Sequence, residues 1–273
     1  MKIFNSIIKL FINIFCSIVK SNKSIKQYVF SKALKNEVID YIENKYYSEY
    51  EHIKKSVFIL KNKLINIENF IILDIGGSNG KTAIMYSEAF PLNLVYVFEP
   101  IKETFKVLSH NTRNYKNIVA VNKAVGNKNG KEKINVAKRI SASSLLDLKA
   151  DKTSKLFAEN LEMVKKEEIT ICKLDNEIPA NSIIGIMKID VQGFELEVLK
   201  GAEMTIERTY IVILEVNNHN GYSGSPKYYD IDLKLRESGF FLYDLCPSTR
   251  DNGRLKEWDV IYINKKNYED WNN

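Results

Sequence analysis

The stretch that decides the fold is Asp74-Ile75-Gly76-Gly77-Ser78-Asn79-Gly80, set between the apolar run Phe70-Ile71-Ile72-Leu73 and a helical stretch from Lys81 to Phe90. A buried strand therefore ends in a glycine turn, where the chain turns sharply and the next helix presents unpaired backbone N–H groups. A second apolar run, Leu94 to Phe98, ends on Glu99. That strand, turn, helix and strand, closing on an acid at the spacing of a ribose contact, predict a bound nucleoside.

Three ligand classes use such a turn. A dinucleotide site sets pyrophosphate on the helix N-terminus, where Asp74 would face it with like charge. A P-loop is suggested by Gly80-Lys81-Thr82 and by Asp190 at the end of a later apolar run, but the residue five before Gly80 is Ile75 rather than glycine. S-adenosylmethionine carries no phosphate, a sulfonium and an ammonium, so an acid beside the turn becomes an asset. Asp74 is then expected to pair the ammonium, and Glu99 to accept from both ribose hydroxyls. Taken singly, Asp74 is equally a strand-end cap and Glu99 a helix N-cap ahead of Pro100.

Downstream, strands and helices alternate: Ile101 to Asn114 is helical, Asn117 to Val121 a strand, Lys131 to Val136 a short accessory strand and Ile169 to Leu174 another. The charged stretch up to Glu168 suggests a helix or mobile lid. Ile183 to Ile189 is the central strand, followed by a helix over Leu196 to Ile206 and strands at Tyr210 to Leu214, Phe240 to Leu245 and Trp258 to Ile263, with a helix over Pro226 to Ser238. This pattern predicts an α/β fold, a parallel sheet with helices on both faces. Ligands of such sheets bind beyond the carboxyl ends of the strands, so Asp74, Glu99, Asp190 and Glu215, all at strand ends, are expected at one cleft.

The 273 residues are 45% hydrophobic and 27% charged, an ordinary globular composition, and the net charge of +6 comes from scattered lysines without a basic stripe, so no nucleic-acid partner is expected. Cys16, Cys172 and Cys246 form no close pair, which fits a reducing, cytoplasmic compartment, and His52, His110 and His219 lack metal-ligand spacing. Residues 1–63 read as a helical N-terminal extension ahead of a domain over 64–273. Apolar residues from Ile3 to Val19 recur at helical spacing, predicting an amphipathic helix over residues 1–20 that packs on protein or makes a peripheral membrane contact.

The ordered set Leu73-Asp74-Ile75-Gly76-Gly77, Val97-Phe98-Glu99-Pro100, Ala124-Val125-Gly126, Ser143-Ser144-Leu145, Lys188-Ile189-Asp190-Val191-Gln192-Gly193, Glu195 to Ala202 and Leu214-Glu215-Val216 resembles the FkbM family of S-adenosylmethionine-dependent methyltransferases. The resemblance implies a class I, Rossmann-like fold with a mostly parallel seven-stranded sheet, and methylation of hydroxyls on saccharides or secondary metabolites. It implies cofactor contacts at Asp74, Gly76, Gly77, Ser78, Gly80, Glu99, Pro100, Ala124, Ser143 and Asp190. Three positions depart from the family pattern, which usually has alanine and asparagine at Gly77 and Ser78, and glutamate at Gln192.

Methyl transfer to a hydroxyl is helped by a base, for which Asp190 is the first candidate, its pKa expected to rise on burial, with Glu195 and His219 as seconds. Glu195 is equally placed to cap its helix, and His219 to decorate a loop. A divalent cation on Asp190, Glu215 and Asn217 is an alternative route, though no metal is assigned. Thr82 is expected to cap or pack the first helix, and Tyr222, Tyr228 and Tyr229 to face a sugar or join the core. The readings from other classes are a P-loop-like nucleotide hydrolase and a non-catalytic nucleoside-binding protein of the same fold.

Overall fold

The computed structural model describes residues 51–62, 69–147, 162–217, 222–251 and 254–268. The expected amphipathic helix over residues 1–20, the segment as far as Tyr50, residues 148–161 and His219 lie outside the described residues. The first described element is a helix over residues 51–62, α1, followed by β1 (Ile71–Ile75), α2 (Lys81–Ala89), β2 (Leu94–Phe98), α3 (Lys102–Thr112), β3 (Ile118–Val121) and β4 (Ala124–Val125). Then come β5 (Gly130–Ala137), β6 (Met163–Cys172), α4 (Leu174–Glu177), β7 (Ile184–Ile189), α5 (Glu195–Lys200), α6 (Glu203–Glu207), β8 (Thr209–Asn217), α7 (Tyr228–Glu237), β9 (Phe240–Asp251) and β10 (Arg254–Asn264).

Seven strands form one sheet in the order β3-β2-β1-β7-β8-β10-β9. The pairings from β3 to β8 are parallel, and β10 is antiparallel to both β8 and β9. All five residues of β1 and all six of β7 are buried, as central strands covered on both faces require. The order reverses between β1 and β7, which opens the crevice at their carboxyl ends. This is the expected α/β architecture, a mostly parallel seven-stranded sheet.

Helix α1 packs on the same unit: Ile53, Ile59 and Leu60 are buried, and Ser56 Oγ lies 3.2 Å from the Tyr86 hydroxyl on α2. The chain from Glu51 to Asn273 is one compact unit, so the last part of the expected N-terminal extension lies within it. Among the described residues, no helix is long and apolar enough to cross a membrane.

A second sheet, β4-β6-β5, stands beside the first. Its Ile134, Val136, Ile169 and Ile171 pack with Ile101 and Ala124 into a separate apolar cluster, against which Leu145 and Phe194 rest. Here the structure corrects the reading of the charged stretch: Met163 to Glu168 belong to β6. On a ribbon exposed to water, cross-strand pairs such as Lys131 with Glu168, 2.7 Å apart, replace the apolar alternation that marks a strand in sequence. The expected helix over Leu196 to Ile206 is broken into α5 and α6 at Gly201, where a Cβ would lie 1.8 Å from the Gly126 carbonyl oxygen. The backbones approach too closely there for any side chain.

Candidate active site

Gly76 and Gly80 turn the chain after β1 with φ of 83° and 84°, and Ser78 between them adopts 47°. The Gly76 and Gly77 N–H groups both donate to the Phe98 carbonyl at 3.0 Å, tying the loop to the end of β2. A Cβ at Gly76 would lie 1.9 Å from the Asp190 carbonyl oxygen, and one at Gly77 2.1 Å from Val97 Cγ2. The loop is thus pressed onto β2 on one side and the exit of β7 on the other.

Glu99, 6% exposed, stands on the wall of the cleft this leaves. Its Oε2 accepts from the Ser78 N–H at 3.2 Å and its Oε1 from the Ile101 N–H at 2.9 Å. Burial pushes its pKa up to about 7 against those two donors, with Asp74 and Asp190 adding repulsion. The apolar part of the lining comes from Ile101, Ala124, Val125, Ile134, Leu145 and Phe194. A carboxyl group beside an apolar slot suits a ribose and its base.

Gly76, Ser78, Glu99, Pro100, Ala124, Ser143 and Asp190, seven of the expected contacts, line this single cleft. Gly77 and Gly80 lie behind the lining and shape the loop, Gly80 as the N-cap of α2. Asp74 does not line the cleft. It is completely buried beneath the loop, where its Oδ1 lies 3.6 Å from Lys188 Nζ, and burial foremost pushes its pKa up. Glu195 is 3% exposed and also outside the lining, its Oε1 accepting from the Gly193 N–H at 2.9 Å and the Val191 N–H at 3.4 Å. It ties down the loop that carries Asp190 and does not cap its own helix, whose N-cap, Phe194, has no side-chain hydrogen bond.

Asp190 leaves 32% of its side chain open. The expectation that burial raises its pKa is reversed. Burial does oppose ionisation, but the Lys188 ammonium, 3.3 Å from Oδ2, and the Gln192 amide, 3.0 Å from Oδ1, outweigh it and hold the carboxyl below its ordinary value. The raised neighbour is Glu215, lifted well above the ordinary value by burial first and then by Asp190, Glu257 and Asp259. Among the described residues, no three His, Cys, Asp or Glu side chains converge as metal ligands.

Sequence reasoning did not single out the apolar wall at Ile134, Val125 and Phe194, or Lys188. A lysine inside an apolar strand run is the signal that marks Lys188, since a buried ammonium requires acids beside it. Of the tyrosines, Tyr222 is buried and donates to the Ala142 carbonyl at 2.7 Å, Tyr228 packs on Trp258 with ring centroids 5.8 Å apart, and Tyr229 is exposed.

These features fit S-adenosylmethionine through the glycine cradle, the buried Glu99 and the apolar slot. The same chain segments match known proteins. A family model described as the methyltransferase FkbM domain matches residues 74–242. "Methyltransferase 1" of Beauveria bassiana (strain ARSEF 2860) is 23% identical over 172 residues, which cover 57% of this chain and 68% of that protein. Among solved structures, Aeropyrum pernix fibrillarin with natively bound S-adenosylmethionine aligns with a TM-score of 0.43 and 15% identity, covering 77% of this chain and 74% of that one. Magnesium protoporphyrin IX methyltransferase from Synechocystis PCC 6803 aligns with a TM-score of 0.41 and 12% identity, covering 90% and 93%. The family match spans more than half of the sequence, and the chain belongs to the FkbM methyltransferase domain family, whose cofactor is S-adenosylmethionine.

Proposed function

We propose that this methyltransferase acts on oxygen, methylating a hydroxyl of a saccharide or a related secondary metabolite. The observation that carries the reading is Asp190, an ionised carboxylate partly open at the cleft that also holds Glu99. When bound, S-adenosylmethionine supplies an electrophilic methyl group. Glu99, Ser78 and Pro100, with Ala124 and Ser143 in the same lining, would hold its nucleoside. Asp190 would accept the O–H of the acceptor and hold its oxygen at near-attack distance.

A carboxyl held below its ordinary pKa is a weak base, and a weak base suffices here. As the methyl–sulfur bond broke, with the pair of electrons leaving on the neutral thioether, and the new C–O bond formed, the acceptor hydroxyl would become strongly acidic and its proton would pass downhill to Asp190. Glu195 acts through the loop that it ties down, as a positioning residue. The carboxylates accept hydrogen bonds and repel anions, which favours hydroxyl-rich, uncharged acceptors.

The test is to incubate the full chain with methyl-labelled S-adenosylmethionine and pools of glycans and small hydroxylated metabolites. The label is expected in alkali-stable methyl ethers, and Asp190→Asn is expected to bind the cofactor while transferring about 100-fold or more slowly. Label on nitrogen or sulfur, or transfer at the normal rate by that variant, would overturn the reading. A protein that binds the cofactor without transfer to any pool would be the non-catalytic binding module.

A further inference from the structure

Gln192 sits where four parts of the site meet, with a left-handed backbone at φ 55°. Its carbonyl accepts from Ser144 Oγ at 2.7 Å, which fixes its main chain to the cleft wall. Its Nε2 donates to Asp190 Oδ1 at 3.0 Å and to Glu215 Oε2 at 2.8 Å. Its Oε1 lies 3.3 Å from the Tyr222 hydroxyl, whose single hydrogen it shares with the nearer Ala142 carbonyl at 2.7 Å. The amide is thereby oriented: turned over, it would set its oxygen against two acids.

Two carboxyl groups this close to a common point repel each other, and a shared proton, a cation or a strong donor holds such a pair. An amide nitrogen carries two hydrogens, one for each acid. We propose that Gln192 is a positioning residue that takes the place of a bridging divalent cation, tying Asp190 to Glu215 so that the acceptor side of the site is assembled without metal. The proposal rests on the reading of Asp190 as the acceptor-binding group. The same geometry says what a change of charge would do. A glutamate at position 192 would bring a third carboxyl group to the point where the amide now sits, and hard divalent cations are held by such oxygen sets, with affinity rising with the charge of the ligands.

The experiment titrates Mn²⁺ alone into the wild-type chain and into Gln192→Glu and Gln192→Met by calorimetry, with S-adenosylhomocysteine binding as the control for an intact fold. The wild type is expected to bind Mn²⁺ most weakly. Gln192→Met, which removes the donor at similar length, binds more tightly, and Gln192→Glu at least about tenfold more tightly than the wild type. Adding Glu215→Gln to Gln192→Glu is expected to abolish the gain, which a loosened fold would not explain.

Wild-type binding as tight as that of either variant would overturn the proposal, as would folded variants that bind Mn²⁺ no better than the wild type. If one variant loses S-adenosylhomocysteine binding, the other decides. Failure of the methyltransferase reading would show separately, as a wild type that does not bind S-adenosylhomocysteine.

Discussion

Lys188 and Asp190 place an ammonium 3.3 Å from a carboxylate at the exit of the central strand, with the ammonium drawn from inside the sheet. Lys188 is 7% exposed and its register partner on β1 is Asp74, whose Oδ1 lies 3.6 Å away. One buried cation therefore balances the acid under the glycine loop and the acid at the cleft. Burial disfavours the charge on Lys188, and Asp190, Asp74 and Asp259 more than restore it. Lys188→Met would leave these acids uncompensated, at a cost of about 3–5 kcal/mol in unfolding free energy. Urea denaturation followed by circular dichroism measures it, and a loss below about 1 kcal/mol would show that the acids are neutral without the lysine.

Stability of the apoprotein should fall as pH rises between about 4.5 and 7. Glu99 and Glu195 both move from an ordinary 4.5 to about 7, each chiefly through burial. A carboxyl raised in the folded state contributes stability that is complete below the unfolded value and is lost as pH passes through the folded one, up to roughly 3 kcal/mol for each group. Asp190, with its lowered pKa, acts the other way and only in more acid solution. Glu99→Gln should flatten part of the decline while weakening cofactor binding. Denaturation midpoints at pH 5 and pH 8 that coincide in the wild type would contradict this assignment.

The strands that build the cleft are legible because β1, β2, β7 and β8 carry short apolar runs that an acid closes in or just beyond the strand's carboxyl end. Gly76 and Gly77 were legible as a turn. The sequence does not show depth: Asp74 and Glu99 look alike at their strand ends, yet Asp74 is sealed under the loop and Glu99 lines the cleft. Nor does it show that Glu195, one turn from Asp190, points back at the Gly193 N–H. The sequence does not show the direction of the Asp190 shift either, because Lys188 and Gln192, two residues away on either side, reach it only in the folded chain.

Gly76→Ala should uncouple the two halves of the site. The added Cβ meets the Asp190 carbonyl oxygen at 1.9 Å, backbone against backbone, at a φ of 83° that an L side chain rarely adopts. We expect a loss of about 2–4 kcal/mol in stability from overpacking and backbone strain together, with cofactor binding weakened more than tenfold. Thermal unfolding with and without S-adenosylhomocysteine reads both, and a variant stabilised by the ligand as strongly as the wild type would show that the loop adjusts freely.

The central claim is that the glycine turn and Glu99 hold the nucleoside of a phosphate-free cofactor. Calorimetric titration of the wild type and Glu99→Gln with S-adenosylhomocysteine and with ATP tests it most directly. The wild type should bind S-adenosylhomocysteine and not ATP, and Glu99→Gln should bind it at least about tenfold more weakly, since an amide offers one acceptor oxygen where the carboxylate offers two. Binding of ATP in preference, or equal affinity of the two proteins for S-adenosylhomocysteine, would contradict the account.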